Sequence, residues 1–371
     1  MSYYFAGQHG PQVRSYPEVR LFFIFVSFAV LCIPFGYYPR RSVVAFLFNF
    51  GIKIGIYLWF VAKLVTTEER IQGILKSVMF SGFAMATSTI LKSDMIGRIG
   101  GGAAYDPNDL ALLMVTTLPI AVIQGLSSSS WYWKIVCFGG GALNLIGLIA
   151  TQSRGGFLGL IALGGFMLFI KIPGISKRRL ILLLSILGIL FGTYLGTAYK
   201  ERIRTIFEEG VFALTAGSGR IVVWKQTLFI SKDHPIFGVG PRAFYAAYGN
   251  YLETGKFKGE LNREALGGMW RTAHNSFLLV LTEMGIPGLL IFMAINIRSF
   301  RNLNRAKALS LERDPANIIG MRATSLQMAL VGFLVCAFFL SQSYNAIIYL
   351  FCFLSGAMVR RSEEVDNPRS S

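Results

Sequence analysis

"LFFIFVSFAVLCIPFGYY", residues 21–38, carries no charged side chain from end to end. At 1.5 Å of helical rise per residue, such a run approaches the ~30 Å hydrocarbon core of a bilayer. "LILLLSILGILFGTYLGTAY" (180–199) is a second run of the same kind. The chain is 53% hydrophobic and only 15% charged, where a soluble domain carries roughly 25% charge. Its apolar residues are gathered into long blocks and not into amphipathic stripes. A transmembrane barrel would show short alternating segments instead. These features predict an all-α polytopic membrane protein with about ten transmembrane helices.

The candidate spans lie near 21–38, 42–62, 71–91, 108–125, 132–150, 156–171, 180–199, 275–297, 323–341 and 345–359. The first run follows a polar lead and ends in Tyr38-Pro39-Arg40-Arg41, a pattern expected of a retained span and not of a cleavable signal. Cys32, Cys137, Cys336 and Cys352 all fall inside apolar runs and read as small buried hydrophobes.

Orientation follows from the Lys/Arg bias of short loops. With the N-terminus in the cytoplasm, the connections on that side hold Arg14, Arg20, Lys63, Arg70, Lys134, Lys171, Lys177, Arg178 and Arg179. They also hold the basic run from Arg298 to Arg322, and Arg360 and Arg361 follow in the tail. The short loops of the opposite face have Arg40, Arg41, Lys92, Arg98 and Arg154. This bias accounts for much of the net charge of +17, so a nucleic-acid partner is not expected.

The layout divides the chain into an N-terminal helix bundle (1–199), a large extracytoplasmic loop (200–274), C-terminal transmembrane helices (275–359) and a cytoplasmic tail (360–371). Loops as long as 200–274 are uncommon unless functional. This one is rich in Trp224, Phe244, Tyr245, Tyr248, Tyr251 and Trp270. "GRIVVWKQTLFIS" (219–231) has helical spacing, "DHPIFGVGP" (233–241) is turn-rich, and "RAFYAAYGNYLE" (242–253) suits a short helix.

The polar features fall on that same face. Asp106-Pro107-Asn108 follows a glycine-rich turn at a helix start, where capping and ligand contact are both open readings. Arg154, in "SRGGFLG", sits in a tight turn between two spans; it either snorkels to headgroups or holds a phosphate through paired N–H donors. Arg220 and Trp224 share one helical face, as a cation–π pair or as part of an anion site. His274 precedes Asn275, a possible cap, and its ring suits proton transfer near neutral pH. Glu283 lies deeper, where a bare carboxylate is expensive, and Gly285, Pro287 and Gly288 predict a kink there. There is no P-loop, no metal-ligand spacing and no D-x-D pair, so neither a metal nor another cofactor is expected.

Four segments, taken in order, resemble the O-antigen ligase and lipid-linked oligosaccharide polymerase superfamily of bacterial envelopes. They are "DPNDLALLMVTTLPIA" (106–121), "SRGGFLGLIAL" (153–163), "GSGRIVVWKQTLFISKDHPIFGVGP" (217–241) and "AHNSFLLVLTEMGIPGLL" (273–290). The resemblance covers about residues 65–358; family members usually carry further helices ahead of it, where this chain opens on "MSYYFAGQHGPQVRSYPEVR". It implies a multi-pass protein of the bacterial inner membrane with a periplasmic active face. The implied donor is a glycan on undecaprenyl diphosphate, and the implied acceptor is a hydroxyl on a lipid, glycan or protein.

In that reading Arg154 and Arg220 stabilise the departing diphosphate without a metal, and His274 takes the acceptor proton. Arg98, Asp106, Asn108, Trp224, Arg242, Tyr245, Arg271 and Asn275 are the candidate substrate contacts, with loop aromatics stacking on sugars. A lateral opening between helices would admit the prenyl tail. A polymerase of the same superfamily is the near alternative. A transporter or flippase of lipid-linked saccharides is the alternative of another class; it would use mid-membrane ionisable groups, of which only Lys53, Lys76 and Glu283 are candidates.

Overall fold

The computed structural model describes residues 17–92, 106–172, 175–194, 204, 220–257, 271–312, 314 and 317–366. All regular elements among them are helical. α1 (Pro17–Cys32) runs into a 3-10 turn, Ile33–Phe35, and α2 (Pro39–Leu64) is π-wound over Val43–Ile52. α3 (Glu68–Lys92), α4 (Pro107–Leu126), α5 (Trp131–Thr151), α6 (Arg154–Phe169) and α7 (Lys177–Tyr194) follow. Two helices of the long loop come next, α8 (Arg220–Asp233) and α9 (Phe244–Glu253). The chain then returns through α10 (Ser276–Leu311), α11 (Ile318–Ala337) and α12 (Ala346–Asp366).

Seven of these helices, α1 to α5 with α10 and α11, are long and apolar enough to cross a membrane. The other three expected spans fall on α6, α7 and α12, of 16, 18 and 21 residues. Positions 195–199 of the expected seventh span lie outside the described residues, as do Arg98 and Trp270.

α11 is the axis of the bundle. It packs on α4, α6, α10 and α12, and 78% of its apolar window is buried, against 28% for α2. Much of the remaining surface of α2, including Val44, Phe48, Ile56 and Phe60, is apolar and suited to lipid. The α4–α6–α11 contact is close because small residues face it. A Cβ on Gly156 would stand 2.6 Å from Ala111, and one on Gly332 2.9 Å from Val115. The four cysteines are free and buried, filling volume as small apolar groups.

Two expectations are corrected. The helix of the eighth span continues beyond the expected bound of 297: α10 runs to Leu311, 36 residues in all. That is more than the ~20 residues that cross a bilayer core. Hydropathy marks where lipid stops, not where helix stops. The basic continuation is held by Arg298 at 3.4 Å and Asn302 at 2.7 Å from the buried carboxylate of Glu18, and by Arg305 at 2.6 Å from Glu363. Likewise α12 carries helix past 359 to Asp366.

The second correction concerns the loop aromatics. Phe244, Tyr248 and Tyr251 do not present faces for stacking; they form a separate core with Ile230, Val239, Leu252, Phe257 and Leu279. Their spacing places them on the inner face of α9. Tyr248 donates to Gln226 at 2.8 Å and Tyr251 to Asp233 at 2.7 Å, so the buried hydroxyls are satisfied. Tyr245, on the other face, is exposed.

The expected kink is present and has a specific cause. Gly285 has φ 64° and ψ −170°, a region open essentially to glycine alone. A Cβ there would stand 2.3 Å from the carbonyl oxygen of Ile236. Gly285→Ala is therefore expected to destabilise the fold by about 1–3 kcal/mol from backbone strain alone, seen as a lower Tm in detergent. Gly165→Ala, inside α6 with nothing within 4 Å of its new Cβ, should leave Tm unchanged or higher.

Candidate active site

α10 begins with Asn275 as its cap. The Asn275 side chain accepts from the N–H groups of Phe277 at 2.9 Å and Leu278 at 3.0 Å. The residue before the cap, His274, is held in the left-handed region at φ 46°. Its N–H donates to Ser341 Oγ at 3.0 Å, and its Nε2 lies 3.1 Å from Thr272 Oγ1. Immediately upstream, the carbonyl of Ala273 accepts the indole N–H of Trp224 at 3.1 Å. The His274 backbone is thus pinned from two directions, towards α8 and towards the turn between α11 and α12.

That turn, residues 338–345 ("FFLSQSYN"), is the part of the site that sequence reasoning passed over. It lies between two apolar spans and was too short to stand out as a loop. Its signal was a polar run on the same predicted face as every other candidate. Gln342 donates to Asp109 at 2.6 Å, and its N–H donates to Ser276 Oγ at 2.8 Å. Ser276 Oγ in turn donates to the Leu340 carbonyl at 2.6 Å. The heads of α4 and α10 are therefore tied to one turn.

Phe339 lies against Arg220 and, through Gly155, against the head of α6. The Arg220 guanidinium stands 6.0 Å over its ring, and a Cβ on Gly155, next to Arg154, would be 3.4 Å from its Cβ. Trp224 meets Phe338 edge-on at 5.3 Å. Arg220 and Trp224 thus share the side of α8 that faces the turn. Arg154 is the first residue of α6, after a two-residue link of Gln152 and Ser153. Ser153 caps α6 and donates to Asn108 Oδ1 at 2.8 Å, while Asp106 caps α4 and accepts from both nitrogens of Asn108. Asp106, Asn108 and Asn275 therefore fill capping and bracing roles. Gly155 and Gly156 face protein neighbours at close range, which accounts for them without a ligand.

Electrostatics places four charged or titratable groups in one neighbourhood. Burial first, then the positive charge of Arg220 and Arg271, pulls the His274 imidazolium from 6.5 down to about 4, with Asp106 opposing. At neutral pH the ring is uncharged and the positive field comes from the guanidinium groups.

Arg242 belongs to a second cluster. It too is left-handed (φ 61°), and its exposed guanidinium stands 4.6 Å over the Tyr344 ring. Beneath it, the fully buried Glu283 receives the Tyr344 hydroxyl at 2.5 Å and the N–H of Phe244 at 3.1 Å. The carboxylate expected to be expensive is thus paired. Lys76 also has a partner, the Trp133 ring at 4.6 Å, while Lys53 is exposed. Among the described residues, the only non-glycine positions with positive φ are Gln152, Arg242 and His274; Gln152 is the left-handed cap that ends α5, while Arg242 and His274 lie in these clusters. Strain of this kind persists where surrounding contacts over-determine it, and it concentrates at functional sites. Among the described residues, no three His, Cys, Asp or Glu side chains gather as a metal site would require.

The sequence model of the O-antigen ligase family matches residues 139–293. That stretch contains Arg154, Arg220 and His274, and the match supports membership of the superfamily whose motifs the chain resembles. No curated protein matches the chain.

Folding depresses the His274 ring, so the unfolded chain binds the extra proton between pH 6.5 and about 4. The His274 contribution to stability therefore falls as pH drops through that window and is whole above it, a difference on the order of 3 kcal/mol. His274→Gln should remove that contribution, so that the Tm of the variant relative to wild type rises as pH is lowered from 6.5 to about 4, measured in detergent.

Proposed function

We propose, on the premise of a chain in the O-antigen ligase superfamily, that it transfers a glycan from undecaprenyl diphosphate to an acceptor hydroxyl on the periplasmic face of the inner membrane. The observation that carries this reading is the neutral His274 ring set in the positive field of Arg220 and Arg271, inside the family-matched stretch. A bond forms between the acceptor oxygen and the anomeric carbon. The bond from that carbon to the diphosphate breaks, and its electron pair leaves with the diphosphate. The acceptor proton goes to His274. Guanidinium groups of Arg154 and Arg220 hold the departing oxygens through forked N–H donors.

The depressed imidazole fits this order of events. A base near 4 is weak at neutral pH. An anionic diphosphate seated beside Arg220 would cancel part of the field that depresses the ring. The base then strengthens only when the donor is bound. The turn 338–345 supports this reading, because it bonds the His274 backbone and lies against Arg220 and the head of α6.

Ligase and polymerase differ in acceptor, and a transporter would make no glycosidic bond at all. Purified protein with an undecaprenyl-diphosphate glycan and candidate acceptors separates the three: attachment to a lipid or protein means ligase, lengthened glycan means polymerase, and unmodified donor means neither. His274→Ala is expected to lower transfer about 10²–10⁴-fold with membrane insertion intact; undiminished turnover removes His274 as the base. Arg154→Lys and Arg220→Lys should each impair transfer, since a point charge does not reproduce the fork. Equal activity of both lysine variants would sink paired phosphate recognition.

A further inference from the structure

A helix broken within a membrane releases backbone groups that lipid cannot satisfy. At the Gly285 break of α10 those groups are taken up by the turn that links α8 to α9. The N–H groups of Val239 and Gly240 donate to the carbonyls of Thr282 at 2.9 Å and Glu283 at 3.0 Å. The N–H of Ile286 donates to the Pro235 carbonyl at 2.8 Å. Contact is backbone to backbone: a Cβ on Gly238 would stand 2.3 Å from the Glu283 carbonyl carbon.

The same turn meets the end of the first span. The N–H of Tyr37 donates to the Val239 carbonyl at 2.9 Å, and Phe35 stacks on Phe237 at 4.2 Å. Residues 235–240 are thus wedged between α1 and α10, two helices suited to the bilayer. The outward surface of the wedge is apolar, with Ile236 57% and Phe35 56% exposed. Ile286, bonded back to Pro235, and Leu290 follow on α10, 53% and 63% exposed. Beside it, the start of α2 presents exposed Tyr38, Arg40 and Arg41, the residue types that collect at the headgroup level.

We propose that residues 235–240 form a membrane-inserted turn whose exposed face is covered by bilayer phospholipid. The occupant is lipid because the exposed face adjoins the lipid-facing sides of two spans and is bordered by an aromatic and basic rim. The turn restores the hydrogen bonds that the break in α10 gives up. It also ties the core of α8 and α9 to the leaflet on their side. The loop is then seated partly in the membrane and not wholly above it. This inference rests on the membrane reading of α1 and α10 and is independent of the transfer reaction.

The test is a spin label on Ile236→Cys in the full-length protein, reconstituted in vesicles of phosphatidylethanolamine and phosphatidylglycerol. The four native cysteines are buried and Ile236 is exposed, so labelling goes to the introduced thiol and packing is undisturbed; unlabelled wild type is the check. Labels on Leu290→Cys and Glu253→Cys give the lipid and water references. The label at 236 is expected to collide more with dissolved oxygen than with a water-soluble nickel chelate, as the label at 290 does. More frequent collision with the chelate, as at 253, overturns the inserted turn.

Discussion

The carboxylate of Glu283, fully buried, accepts the hydroxyl of Tyr344 at 2.5 Å and the N–H of Phe244 at 3.1 Å. That one group joins the broken helix α10, the start of α9 and the turn between α11 and α12. A buried carboxyl group left without its hydrogen-bond partners costs about 1–3 kcal/mol, so pulling any of the three elements away leaves a polar group unsatisfied. The break at Gly285 follows from the same junction. It lets the turn at 235–240 approach α10 backbone to backbone, and the amides of that turn replace the helix's own. His274 stands at the head of this helix, so its position depends on the junction below it.

A second consequence is the separation of two polar clusters. Arg220, Arg271 and His274 share one field, while Arg242 sits over Tyr344 and Glu283. The turn 338–345 touches both, through Ser341 and Phe339 on one side and Tyr344 on the other.

Much of this was legible along the chain. Apolar runs located the helices because lipid demands length and composition together. The spacing of 219–231 and 242–253 marked α8 and α9, and glycine beside proline marked the break in α10. The residues around His274 stood out as polar groups on one predicted face. The limits have physical causes too. Hydropathy stops at the lipid boundary, so the charged continuation of α10 read as loop. An aromatic on a helix face has the same sequence signature whether it meets a sugar or a core, so the spacing of Tyr248 and Tyr251 does not reveal that they lie inward.

What the sequence determined by itself is a helical membrane protein with its candidate polar residues at helix ends, because hydropathy and cap chemistry are local properties. Which groups share a field was decided only by tertiary structure. The depressed His274 ring, the pairing of Glu283 with Tyr344, and the turn that reaches Asp109, Ser276 and His274 all depend on contacts between residues far apart in the chain. Burial and electrostatic coupling act through space over a few ångströms, and no periodicity in a single chain records which distant residues come within that range.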